Sequence, residues 1–180
     1  MTIFVETTIL ATMKRSVRSE IQQSQPFPSL EAEVYIDLRL TAQMVDEPWV
    51  RYLRRTEAIS PSQFNLLRIL RGAGEEGRTM SEIGERLINR DPDVTRLADN
   101  LVKRGLARRI RDNKDRRLVR LHITSAGLEM LERLDEPVKT FMVQALGSLG
   151  QKRLEQLRDL LDSARSGIRP FPPEEHVPAG

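Results

Sequence analysis

Apolar residues recur at helical spacing along most of this chain and at strand spacing in one short stretch beyond its middle. Residues 1–28 lack a clear period and end in Gln25-Pro26-Phe27-Pro28, which reads as an extension whose order depends on what it packs against. From Ser29 onward Leu30, Val34, Leu38, Ala42 and Val45 advance by three or four residues, predicting a helix that Glu47-Pro48 breaks or kinks before Trp49–Thr56 resumes it. Three shorter helices follow. Ser60-Pro61-Ser62-Gln63 supplies a cap, a first-turn proline and a capping-box glutamine ahead of Phe64, Leu67 and Leu70, and the glycines at 72 and 74 end that helix. Thr79-Met80-Ser81-Glu82 is a second capping box, with Met80, Ile83 and Leu87 facing inward. Asp91-Pro92 opens the third helix, in which Val94, Leu97, Ala98, Leu101 and Val102 make an apolar stripe opposite Arg96, Asp99, Asn100 and Lys103.

The period then changes. After Gly105, two arms of strand character meet at the polar tip Asp112-Asn113-Lys114-Asp115. In the second arm Val119, Leu121 and Ile123 alternate with Leu118, Arg120 and His122, so one side is buried and His122 is expected to point outward. Thr124 caps a long helix in which Leu131, Leu134, Val138, Phe141 and Ala145 keep a three-four step, with a bend possible at Pro137. Beyond Gly147 and Gly150 the step returns in Leu154, Leu157, Leu161, Ala164 and Ile168. Two such seams flanking a small unit suggest a dimer interface built from the chain ends, an intramolecular helix pair being the alternative. The four prolines of residues 169–180 predict a disordered tail.

Charge sharpens the reading of the hairpin. Residues 103–120 hold nine basic and two acidic side chains, a balance of +7 in a chain of 180 residues whose formal total is +3. So much self-repulsion in one place is rewarded chiefly by a polyanion. Three helices followed by a two-stranded hairpin is the order of a winged helix-turn-helix. Its third helix would offer Arg96, Asn100 and Lys103 to a major groove, while Arg111, Lys114, Arg116 and Arg117 of the hairpin reach phosphates or the adjacent minor groove. A solvated charged hairpin is the plainer alternative.

Other chemistry finds little support. The chain has no cysteine and only His122 and His176, which argues against a disulfide framework, thiolate chemistry and a metal site, and no cofactor is expected. There is no Ser, His and Asp set and no phosphate-cradling glycine loop with lysine. The run of residues 72–77 follows a helix and reads as a turn, so an enzyme is not expected. No apolar run approaches a membrane span, and the basic residues Lys14, Arg15 and Arg18 follow the mildly apolar start, the wrong order for a secretory signal. A cytoplasmic protein is expected.

Several blocks in order resemble the MarR family of bacterial transcriptional regulators: Ser60-Pro61-Ser62-Gln63-Phe64, Val94-Thr95-Arg96-Leu97, Lys103-Arg104-Gly105-Leu106, and the wing signature Asp115-Arg116-Arg117 with Ile123-Thr124-Ser125-Ala126-Gly127. The resemblance spans about residues 29–168. It implies a mainly α fold with a small β-wing, a winged helix-turn-helix (58–124) between dimerisation helices (29–57 and 125–168). It also implies a homodimer that binds a pseudo-palindromic duplex operator, acts as a repressor, and releases DNA when a small aromatic ligand binds. By the same resemblance Arg117 enters the minor groove, Asp115 holds the wing by pairing with basic side chains near it, and Thr95 and Arg96 lie on the recognition helix. Relatives usually carry small hydroxyl residues where this chain has Pro92 and Asp93. Asp93 would repel phosphate but could accept from a cytosine amino group. Trp49, Tyr52 and Phe64 are the ligand-pocket candidates, with core packing as their alternative role. A winged-helix module that contacts protein without specific DNA binding is the rival function.

Overall fold

The computed structural model describes residues 16–88, 93–112 and 115–168. The described residues fall into two compact units, one up to Tyr52 and one from Leu53, divided inside a helix.

In the first unit a four-residue helix α1 (Val17–Glu20) stands in the stretch that showed no period, started by Ser16, whose hydroxyl accepts from the Ser19 amide. Helix α2 (Leu30–Thr56) begins where Ser29 accepts from the Ala32 amide at 3.2 Å. The expected break at Pro48 does not occur. Proline removes one ladder bond, but long segments on both sides keep theirs and the helix runs on. Its stripe of Leu30, Val34 and Leu38 is solvent-exposed in the single chain, as are Tyr35 and Met44. Near its C-terminal end Trp49 and Tyr52 stack with ring centroids 5.5 Å apart, Trp49 buried and Tyr52 exposed.

The second unit is organised around α3 (Pro61–Ala73). Both predicted capping boxes form: Ser60 Oγ accepts from Gln63 N while Gln63 Oε1 accepts from Ser60 N, and Thr79 and Glu82 repeat the exchange at α4 (Met80–Arg86). Each satisfies two otherwise orphaned amides, which is why these short helices start where they do. Phe64, Leu67 and Leu70 are buried as the pattern requires, and Leu66 is buried too, because α3 packs against α5, α6 and the sheet on different sides. Helix α5 (Val94–Lys103) docks through Leu97, Ala98 and Leu101. Its described cap is Asp93, whose carboxylate accepts from Arg96 N; Asp91-Pro92 lie outside the described residues.

Strands β1 (Ala107–Arg111) and β2 (Val119–Ile123) pair antiparallel, Ala107 opposite Ile123 and Arg111 opposite Val119. A third backbone partner was not foreseen: Arg78 exchanges bonds with Leu121 at 2.9 and 2.7 Å, extending the hairpin toward the turn before α4. That partner changes the setting of His122. Its ring lies so close over Gly77 that a Cβ there would come within 2.6 Å of Nε2, and the side chain is half-buried rather than outward and solvated. Burial, then the nearby charges of Arg108 and Arg120, hold its pKa below the usual histidine value.

Thr124 caps α6 (Ser125–Leu146) as expected, accepting from Gly127 N, and Pro137 lies inside a continuous helix. The signature glycine is explained by contact: a Cβ on Gly127 would strike the Leu106 carbonyl oxygen, which is held in place by the Thr124 amide. A turn at Gly147–Leu149 leads to α7 (Gly150–Gly167), which buries no residue. Leu154 and Leu161 are half-buried, while Leu157 and Ile168 of the predicted seam, and Leu160 beside it, are exposed, so α6 and α7 alone do not bury it. No helix among the described residues is long and apolar enough to cross a membrane. The tail residues 169–180 lie outside the description.

Candidate nucleic-acid interface

With Leu97, Ala98 and Leu101 turned into the core, helical geometry leaves Thr95, Arg96, Asp99, Asn100 and Lys103 on the outer face of α5, and all five are exposed. The arrangement offers donors of fixed spacing on a rigid element. A cap, two ion pairs and a pair of carbonyl bonds hold that element. Asp93 caps it and also pairs with Arg96, Nε to Oδ2 at 3.0 Å. Asp99 pairs with Arg109 of β1 at 2.6 Å, tying the helix to the hairpin. At the other end Arg104 donates to the carbonyls of Glu57 and Ala58, each at 2.7 Å.

The hairpin tip is built by short-range bonds. Asp112 N donates to Leu118 O and Leu118 N to Asp115 O, both at 2.9 Å, closing the turn. Asp112 Oδ1 accepts from Asp115 N, and Asp115 Oδ1 accepts from Arg117 N at 2.9 Å. Asp115 therefore braces the turn through a backbone amide, while Asp112 takes the basic side chain, pairing with Arg120. Aspartate suits this place because its short carboxylate reaches an amide two residues on. Arg120 also reaches Glu82 of the second capping box at 3.4 Å, so the wing and α4 share one guanidinium. Asp112 beside Arg120 raises the arginine further above its usual range. The bond from Thr79 N, ahead of the Thr79 hydroxyl and the charges of Arg120 and Arg78, lowers Glu82.

These contacts redistribute the charge count made from sequence. Arg104, Arg109 and Arg120 belong to the nine basic residues of 103–120, yet each is occupied inside the fold. Lys103, Arg108, Arg111, Arg116 and Arg117 are exposed, and Lys114 lies outside the described residues. The tethers were not legible in the pattern, since an arginine whose partner lies 8 to 47 positions away looks like any other basic residue. Their partners, Asp99 on the outer helix face and Glu82 in a capping box, were visible, but with other duties.

The aromatic candidates belong to different units, Trp49 and Tyr52 to the first and Phe64 to the second. Trp49 and Tyr52 stack on each other, and Phe64 is buried in α3 beneath the Arg68 guanidinium, 5.9 Å from its ring centroid. Among the described residues no group of three His, Asp or Glu side chains could hold a metal ion.

The profile of the MarR family matches residues 59–118. A solved MarR transcription factor from Planctomyces limnophilus is 36% identical, with a TM-score of 0.58 over 77% of this chain and 99% of that one. The chain belongs to the MarR family. Another relative, the HTH-type transcriptional regulator YpoP of Bacillus subtilis (strain 168), is 35% identical over 78 residues, which cover 43% of this chain and 54% of YpoP. Sco3205 of Streptomyces coelicolor, a MarR family regulator solved in complex with DNA, shares the fold with a TM-score of 0.70 at 20% identity, over 82% of this chain and 94% of that one. MarR membership accounts for the order seen here, three helices, a hairpin and long flanking helices, and for the glycine that follows the wing.

Proposed function

We propose that this MarR protein is a homodimeric, sequence-specific, duplex-DNA-binding transcriptional regulator of the cytoplasm, a non-enzymatic repressor released by a small aromatic ligand. The observation that carries the reading is the recognition helix: Leu97, Ala98 and Leu101 are buried in docking while Thr95, Arg96, Asn100 and Lys103 stand exposed beside a braced wing bearing Arg111, Arg116 and Arg117. Reading bases needs side chains held on a rigid element, and phosphate binding needs cations free of internal partners. Residues 58–124 carry that work in this proposal, with Lys114 and Asp115 at the wing tip, and residues 29–57 and 125–168 assemble the dimer.

The open apolar side of α7 supports the second half. Leu146, Leu154, Leu157 and Leu161 line a groove of about 210 Å³ bordered by Arg158 and Arg165, and a second copy is the partner a self-complementary surface calls for. Two recognition helices would then meet half-sites about 34 to 36 Å apart. Asp93 enters this picture as a cap on α5, and Trp49, Tyr52 and Phe64 as the effector candidates.

Duplex binding measured against salt is the test. Engagement of six or more phosphates lowers affinity on the order of a thousandfold between about 50 and 200 mM salt, and Arg117→Ala reduces the slope. Affinity flat over that range removes the reading. Trp49 is the single tryptophan, so quenching of its emission by aromatic acids, with parallel loss of DNA binding, tests the effector.

A further inference from the structure

We propose that Asp93 and Arg96 form one base-reading unit, in which the carboxylate aims the guanidinium at a guanine in each operator half-site. The inference rests on the DNA-binding reading above and goes beyond it to a base preference.

Both oxygens of Asp93 are used on the same residue. Oδ1 accepts from the Arg96 backbone amide at 2.9 Å, and Oδ2 pairs with Arg96 Nε at 3.0 Å. The first bond is an ordinary helix cap, and serine or asparagine would make it equally well. The second has no such use. With side chains 73% and 49% exposed, an ion pair one turn apart adds little to the stability of the fold. What it does fix is the direction of the guanidinium. Arginine gives up considerable rotamer freedom on binding, and a side chain already held in one orientation gives up less.

The atoms engaged decide which edge is left. Nε lies against Asp93 Oδ2, which leaves the two terminal amino groups of a largely exposed side chain to serve as a fork of parallel N–H donors. Guanine presents O6 and N7 as two adjacent acceptors in the major groove, which that fork matches; adenine replaces one acceptor by a donor, and thymine offers one acceptor beside a methyl group. Arg96 lies in the first turn of α5, the end of a recognition helix that meets base edges. The pairing also removes the objection to an aspartate here, because its charge is offset by Arg96 before DNA arrives. Asp93 is thus a positioning residue and Arg96 the reader.

Selection from a random duplex library with the full chain, followed by affinities on the selected site, tests the unit. Wild type selects half-sites with one guanine that adenine or 7-deazaguanine cannot replace without about a tenfold or greater loss of affinity per half-site. Arg96→Ala loses that preference. Asp93→Ser keeps the cap, leaves the melting temperature unchanged and also loses the preference, while retaining salt-sensitive binding; Asp93→Asn serves as a second cap-preserving variant should the serine form fold poorly. A preference that survives both Asp93 variants overturns the proposal and leaves the DNA-binding reading standing. A wild-type chain that selects no duplex overturns both.

Discussion

The three-helix head and helix α7 draw on the same residue types and treat them in opposite ways. In the head Leu66, Leu67, Leu70, Leu101 and Leu121 are completely enclosed, and the large apolar side chains left exposed, Ile88, Leu118 and Val119, lie at the end of α4 and on the wing. In α7 no residue is buried, and Leu157, Leu160 and Leu161 stand on the surface or in an open groove. The head has enough elements to close a core around α3. A single helix following a turn has not, whatever its periodicity. The difference teaches that a regular apolar stripe announces burial without naming the chain that provides it.

Truncation separates the two regions most sharply. Leu67→Ala, in the centre of α3, lowers the unfolding free energy by about 2 to 5 kcal/mol, read by chemical denaturation. An undiminished midpoint would mean that the head is not the tightly packed region. Gly127→Ala comes next, at about 1 to 3 kcal/mol, because the start of α6 has to shift away from the Leu106 carbonyl. The same change at Gly72, where added atoms meet nothing within 4 Å, serves as the control.

Acidity probes the head through two groups. Arg71 forms a bidentate bond with Asp135, and that bond lowers the aspartate below its usual pKa near 3.8, so its contribution is present above that value and disappears as pH falls further. His122 is likewise shifted down, which makes the neutral ring the form the fold favours. Its contribution is complete above about 6.5 and is lost as pH drops below it, where the unfolded chain takes up the proton first. Thermal melting between neutral pH and pH 5 falls in wild type and falls less in His122→Gln. Leu160→Ala has the smallest effect: with its side chain open it changes the stability of the dilute chain by no more than about 0.5 kcal/mol, while raising the dimer dissociation constant seen by sedimentation. A large loss of stability in the dilute chain would show that α7 is packed internally after all.

Much of the head was readable in advance, for local reasons. Ser60, Thr79 and Thr124 start helices by bonding amides within three residues of themselves, and such short-range chemistry leaves its mark in the order of residues. The buried stripe of α5 was equally plain. The features without a local mark act over distance. Arg78 pairs with Leu121 across 43 positions through backbone groups that carry no residue signature, and this pairing brought His122 over Gly77. In the interface, exposure of Arg96, Asn100 and Lys103 followed from the helical period, but the diversion of Arg104, Arg109 and Arg120 into internal bonds depended on the fold around them. At Pro48 the helix is continuous, so the break, one of the two outcomes expected there, does not occur.

Glu57 joins two elements through different parts of one residue. Its carboxylate receives the Arg133 guanidinium of α6 through two bonds of 3.1 and 3.0 Å, and its carbonyl receives Arg104 from the end of α5. One residue thereby ties the long helix α6 to the C-terminal end of α5, as a guy-line runs between two poles. Removing the Glu57 carboxylate cuts only one of the two stays, since the carbonyl that holds Arg104 belongs to the backbone.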